Sequence, residues 1–220
     1  DMNRIFPGDK NGAMAEYMAA GIIDSLKDSA LCIDIHASNI YLIEAPQVRI
    51  NENVKDMLVP YAEKLNVDYI WVHGAATVLE ATLAHSLNSM GIPTLVVEMG
   101  VGMRITKEYG DQLIAGILNL MKSMGMYDGE TSPVKKPLYS EKDDEVAFLN
   151  AAEPGIFLPE VCHWTRVKEG QLVGKIVNPL TGETVNEMNS PCDGILFTLR
   201  EYPVVNEGSL IARILRREAE

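Results

Sequence analysis

The sequence predicts an α/β protein, with a mostly parallel, mixed sheet covered by helices, followed by a small all-β barrel or sandwich. Three observations predict it. Short, nearly all-apolar strands alternate with amphipathic helices through about residue 125. A polar, proline-punctuated stretch then interrupts the alternation. Beyond it the chain breaks into short β runs bounded by turns. The division that results is 1–128 for the α/β domain, 129–145 for a connector and 146–220 for the β domain.

From Asp9 to Lys27, Ala13, Met14, Tyr17, Met18, Gly21, Ile22 and Leu26 recur at three- and four-residue spacing, the stripe of an amphipathic helix. Ala30 to Ile35 reads as a short buried strand. Gln47 to Leu65 is expected to hold a second helix, with Val54, Leu58, Tyr61 and Leu65 inward, before a strand at Asp68 to Val72. Val78 to Met90 repeats the helix, and Gly91-Ile92-Pro93 hands over to a strand at Thr94 to Glu98. Ile105 to Met124 is a last long helix, with Leu113, Ile117, Leu120 and Met124 in register. The connector carries Thr131-Ser132-Pro133, Lys135-Lys136-Pro137 and Glu141-Lys142-Asp143-Asp144.

Five β runs follow: Gly155 to Leu158, Gln171 to Val177, Thr184 to Met188, Gly194 to Arg200 and Leu210 to Leu215. Val167-Lys168-Glu169-Gly170-Gln171-Leu172-Val173 and Val205-Asn206-Glu207-Gly208-Ser209-Leu210-Ile211 are similar, which suggests two related halves. Together with the turn Ser190-Pro191-Cys192-Asp193-Gly194, they resemble the biotinyl/lipoyl carrier fold. A carrier needs a lysine at the hairpin tip, and here the tip reads Asn178-Pro179-Leu180-Thr181-Gly182-Glu183. The module is therefore expected to be structural, a cover over the site or an oligomer contact.

Composition narrows the function classes. Hydrophobic residues make up 47% of the chain and charged residues 23%, enough for a packed core, and the net charge of −12 opposes binding to nucleic acid or to an anionic membrane surface. Cys32, Cys162 and Cys192 form no C-x-x-C pair, and reduced thiols of this kind point to the cytoplasm. No apolar run approaches the roughly 18 residues of a membrane span.

Chemistry-bearing residues concentrate in the first hundred positions. Asp34 and His36 project from one face of a strand that runs out at His36, and in open α/β sheets ligands bind at the carboxyl ends of strands. The Asp either orients the ring beside a metal or satisfies a loop. Glu98 ends the strand Thr94-Leu95-Val96-Val97, as a general base beside a metal-bound water, as a helix cap or as an ion-pair partner of Arg104. Asn3 and Arg4 precede a Phe-Pro-Gly turn, and an arginine fork plus an amide suits a carboxylate. Arg104 either reaches an anionic substrate or pairs with Glu108 at i+4. His73, at a strand end, faces a pocket or a loop, and His85 and His163 are assigned to structure. Gly100-Val101-Gly102 lacks the third glycine and the placement of a dinucleotide site.

In their order, N-R-x-F-P-G, D-I-H and V-E-M-G resemble the succinylglutamate desuccinylase/aspartoacylase family over residues 1 to about 125. The resemblance implies a carboxypeptidase-like α/β fold and a zinc-dependent deacylase that cleaves the amide of a small N-acyl amino acid or a similar carboxylate-bearing amide. Residue by residue it implies His36 as the third zinc ligand, Glu98 as general acid/base, and Asn3 and Arg4 as the carboxylate-binding pair. One zinc per full-length chain is implied. The family's H-x-x-E pair and its upstream arginine have no counterpart here, so two ligands are expected outside this sequence, and the chain is expected to be an incomplete, inactive piece of a longer deacylase. An incomplete sheet also favours pairing with a second copy. The rival readings are a carboxypeptidase-like metallopeptidase and a noncatalytic binding or scaffold protein.

Overall fold

A computed structural model describes residues 1–74 and 80–217. They fall into two compact units, one of Asp1–His36, Gln47–Val97 and Gly110–Glu141, the other of Ala37–Pro46, Glu98–Tyr109 and Lys142–Glu220.

The first unit carries α1 (Met14–Leu26), β1 (Cys32–His36), α2 (Lys55–Ala62), β3 (Tyr69–His73), α3 (Leu83–Ser89) and β5 (Leu138–Ser140), with half of β2 (Leu42–Asn51) and most of β4 (Thr94–Gly100) and α4 (Lys107–Ser123). The strand order is β1-β4-β2-β3-β5. β3 runs parallel to both neighbours, with Gln47 opposite Tyr69 and Tyr69 opposite Leu138. Alternation along β2 and β3 buries Val48, Ile50, Ile70 and Val72 on one face, and α2 packs over β3 with Leu58 and Ala62 inward. α1 buries Ala19 and Ile23 with Phe6, Leu87 and Ile92. α4 buries Leu113, Gly116 and Leu120, and a Cβ at Gly116 would stand 1.8 Å from the Leu65 carbonyl oxygen. No helix among the described residues is long and apolar enough to cross a membrane.

Several boundaries differ from those expected. Gln47–Asn51 is the end of β2, not the start of a helix, because Val48 and Ile50 alternate into the sheet beside β3; the helix that follows is confined to Lys55–Ala62. α1 starts at Met14, where Glu16 reaches back to accept from the Ala13 N–H at 2.7 Å. The helix expected from Val78 starts at Leu83, with the Thr82 hydroxyl capping the His85 N–H at 3.2 Å; Val78 itself lies outside the described residues. Part of the connector is ordered as β5, where the hydroxyls of Ser140 and Tyr69 share a hydrogen bond.

Every helix and strand described from Val146 onward is a strand: β6 (Val146–Asn150), β7 (Gly155–Pro159), β8 (Thr165–Val167), β9 (Leu172–Val177), β10 (Thr184–Asn189), β11 (Gly194–Arg200), β12 (Val204–Val205) and β13 (Leu210–Arg216). β11 pairs antiparallel with β13, β8 and the first residues of β2, and β13 with β6; a second sheet has the order β10-β9-β7-β12. Phe157, Val173, Ile176, Leu196, Ile211 and Ile214 lie in their shared core. The two similar segments fold into the same turn. Gln171 N–H donates to Lys168 O at 3.0 Å and Ser209 N–H to Asn206 O at 3.0 Å, each around a left-handed glycine, Gly170 (φ +76°) and Gly208 (φ +79°).

Candidate functional site

In the first unit the N-R-x-F-P-G segment is an anchored turn. Phe6 is buried between α1 and α3, and Gly8 (φ +82°) passes so close to α1 that a Cβ would meet the Glu16 carbonyl oxygen at 2.3 Å. Only glycine satisfies both conditions. The Asn3 side-chain oxygen accepts from the Leu83 N–H at 2.9 Å, holding the first turn of α3, so its amide nitrogen is the end left to act as a donor. The half-exposed Arg4 donates from Nη1 to its neighbour's carbonyl, Asn3 O, at 2.6 Å, and its Nε lies 3.9 Å from Asp1. At the end of β1, His36 Nε2 stands 2.9 Å from an Asp34 carboxylate oxygen. Strand alternation delivers that pair, since positions two apart share one face of β1.

In the second unit Glu98 is only 8% exposed, and its Oε2 accepts from the Ser38 backbone N–H at 2.7 Å. Ser38 has a positive φ of 26°, rare for a side-chain-bearing residue, in the loop that follows β1. Asn39 ties that loop down: its side-chain oxygen accepts from the N–H groups of Tyr41 (2.8 Å) and Leu42 (3.0 Å), and its carbonyl accepts from Gly102 N–H (2.8 Å). Arg104 pairs with Glu201 at 2.7 Å rather than with Glu108, because α4 begins at Lys107 and position 104 has no helical i+4 neighbour.

The other histidines sort by contact. His73 Nδ1 lies 3.4 Å from Gly74 O, with its ring edge-on to Trp71. His85 Nε2 is 3.5 Å from the Ser89 hydroxyl. His163 bridges the Phe197 carbonyl (Nε2, 2.9 Å) and the Tyr109 hydroxyl (Nδ1, 3.3 Å). Sequence reasoning missed Ser38, whose contribution is a backbone N–H with no side-chain signature. It also missed the fully buried Glu44, which accepts from Arg213 at 2.8 Å and from the Thr198 hydroxyl.

For a metal, the donors are few. Among the described residues no group of three or more His, Cys, Asp or Glu side chains gathers around one point, and His36 with Asp34 behind it is the arrangement suited to a ligand. Chemically, the first unit offers an imidazole beside a carboxylate and an arginine next to an amide, and the second a buried carboxylate held by a main-chain donor.

The model of the succinylglutamate desuccinylase/aspartoacylase catalytic domain matches residues 1–124. The N-alpha-acetyl-L-2,4-diaminobutyric acid deacetylase of Halomonas elongata is 24% identical over 97% of this chain, which spans 64% of that relative's length. Two solved structures share the fold. The ectoine utilization protein EutE (DoeB) of Ruegeria pomeroyi superposes with a TM-score of 0.81 at 18% identity, covering 99% of this chain and 70% of its own. A succinylglutamate desuccinylase/aspartoacylase from Rhodobacter sphaeroides gives 0.79 at 23% identity, covering 100% and 68%.

Proposed function

Because the chain belongs to the succinylglutamate desuccinylase/aspartoacylase family, we propose that it serves a zinc-dependent deacylase that cleaves the amide bond of a small N-acyl amino acid. The observation that carries the proposal is Glu98, a nearly buried carboxylate on β4 with one oxygen held by the Ser38 N–H at 2.7 Å. A carboxylate so placed is costly unless it has work to do, and a general base within reach of a water meets that condition. The relative from Halomonas elongata, a deacetylase of an N-acetyl diamino acid, supports the substrate class.

The residues divide the work as follows. His36, with the Asp34 carboxylate 2.9 Å from its Nε2, would be the residue that holds the zinc. A zinc ion, when bound, supplies a Lewis acid and an acidified water. The described residues provide one such ligand rather than the three a hydrolytic zinc takes. Glu98 takes a proton from the attacking water and returns it to the leaving amine nitrogen, and Ser38 keeps the carboxylate aimed while it does so. The Asn3 amide and the Arg4 guanidinium hold the substrate carboxylate. The free thiols of Cys32, Cys162 and Cys192 suit a cytoplasmic setting, and the paired turns at Gly170 and Gly208 support a β module of two related halves.

Amine release by the full-length protein tests the proposal, with N-acetyl-2,4-diaminobutyrate and other N-acetyl amino acids set against dipeptides. Hydrolysis of acyl amino acids alone is expected. Release from dipeptides would make it a peptidase, and release from neither would make it a binding protein.

A further inference from the structure

Glu98 is aimed by a loop that contributes no strand or helix of its own, residues 37–41, and what fixes that loop lies far along the chain. The Tyr41 carbonyl accepts two main-chain hydrogen bonds, from Glu201 N–H at 2.8 Å and Tyr202 N–H at 3.1 Å. The Tyr41 ring is met edge-on by Tyr202, centroids 5.5 Å apart, and the Arg200 guanidinium carbon lies 5.1 Å from its centre. Arg200 is itself pinned by the carbonyls of Tyr202 (2.9 Å) and Val204 (2.7 Å). The neighbouring residue, Glu201, takes the Arg104 guanidinium at 2.7 Å from the loop that follows Glu98. Those two loops are then joined by Gly102 N–H to Asn39 O at 2.8 Å, where a Cβ on residue 102 would crowd Asn39 at 3.1 Å.

We infer that the Arg200–Tyr202 turn of the β segment is a positioning bracket for the general base, holding the loops on both sides of Glu98 so that the Ser38 N–H stays on its carboxylate. The inference rests on the reading of Glu98 as that base. Two features set this turn apart from ordinary packing. Ser38 holds a positive φ, a conformation that lasts only where surrounding contacts over-determine it. The Arg104–Glu201 pair is largely open to water, with side-chain exposures of 64% and 34%, and such pairs add little to stability. Its effect therefore falls on where the loop sits rather than on whether the protein folds. Glu201 and Arg200 are positioning residues and touch no reacting atom.

The full-length protein tests this with Glu201→Ala, Glu201→Gln and Glu98→Gln, reading kcat, KM, melting temperature and amide hydrogen exchange at Ser38 and Gly102. Glu201→Ala is expected to lower kcat about tenfold with KM within about twofold, the scale of a small misplacement of a catalytic group. Ser38 exchange should quicken while the melting temperature holds, and Glu201→Gln, which still accepts from Arg104, should restore most of kcat. Unchanged kcat and Ser38 exchange in Glu201→Ala would overturn the bracket, as would a kcat loss matched by a fall in melting temperature. Glu98→Gln keeps the two ideas apart. An active Glu98→Gln would sink the base itself, whereas an inactive one beside an unaffected Glu201→Ala would remove the bracket alone.

Discussion

Asn3 shows how one side chain serves fold and site together. Its oxygen holds the Leu83 N–H at the start of α3, and the opposite end of the amide is the donor proposed for a substrate carboxylate. Asn3→Ala removes both roles and should cost about 1 kcal/mol in a melt, the usual loss for a helix cap. Asn3→Asp keeps the acceptor and loses the donor, so its melting temperature should hold while KM rises; an unchanged KM would leave Asn3 with the cap alone. The same scale shows what the sequence exposes and what it hides. Asp34 and His36 were readable because strand alternation puts positions two apart on one face. Arg104 was not: its partner is 97 residues away, and the i+4 expectation presumed a helix that begins only at Lys107. Ser38 could not be read, since a main-chain donor has no residue type.

Among the elements, long periodic stretches were legible and short ones were not. α1, α4, β3, β4 and the five β runs stood near their expected places because their stripes or apolar runs span several turns or pleats. The end of β2, Gln47–Asn51, was read as the start of the helix that carries Leu58 and Tyr61, and pairing with β3 makes it strand. β5, β8 and β12, of two or three residues, carry too little pattern to be seen before their partners are known. α4 makes a prediction of its own. Gly116→Ala would drive a Cβ into the Leu65 backbone at 1.8 Å, and backbone cannot step aside as a side chain does. Overpacking of this kind costs about 1–3 kcal/mol or more. Alanine ordinarily favours a helix over glycine, so a melting temperature that rose in Gly116→Ala would show that α4 does not press on Leu65.

At the scale of the molecule, β2, β4 and α4 each run from one compact unit into the other, so the motifs quoted from the sequence are shared between the units: Asn3, Arg4, Asp34 and His36 in the first, Glu98 and Arg104 in the second. The order of those motifs was legible in the sequence and led to the family that the domain match then showed. The placement of individual side chains waited on strand pairing across long separations, as with Glu44 and Arg213. As proposed, His36 serves as a metal ligand and Glu98 as the base of hydrolysis. The most direct test measures zinc content and turnover of the full-length protein in His36→Ala and Glu98→Gln side by side. His36→Ala is expected to lose the metal and activity together, and Glu98→Gln to keep about one zinc per chain while turnover falls by about two to four orders of magnitude. A Glu98→Gln protein that turns over within about tenfold of the parent, or a His36→Ala protein that retains its zinc, would contradict these roles.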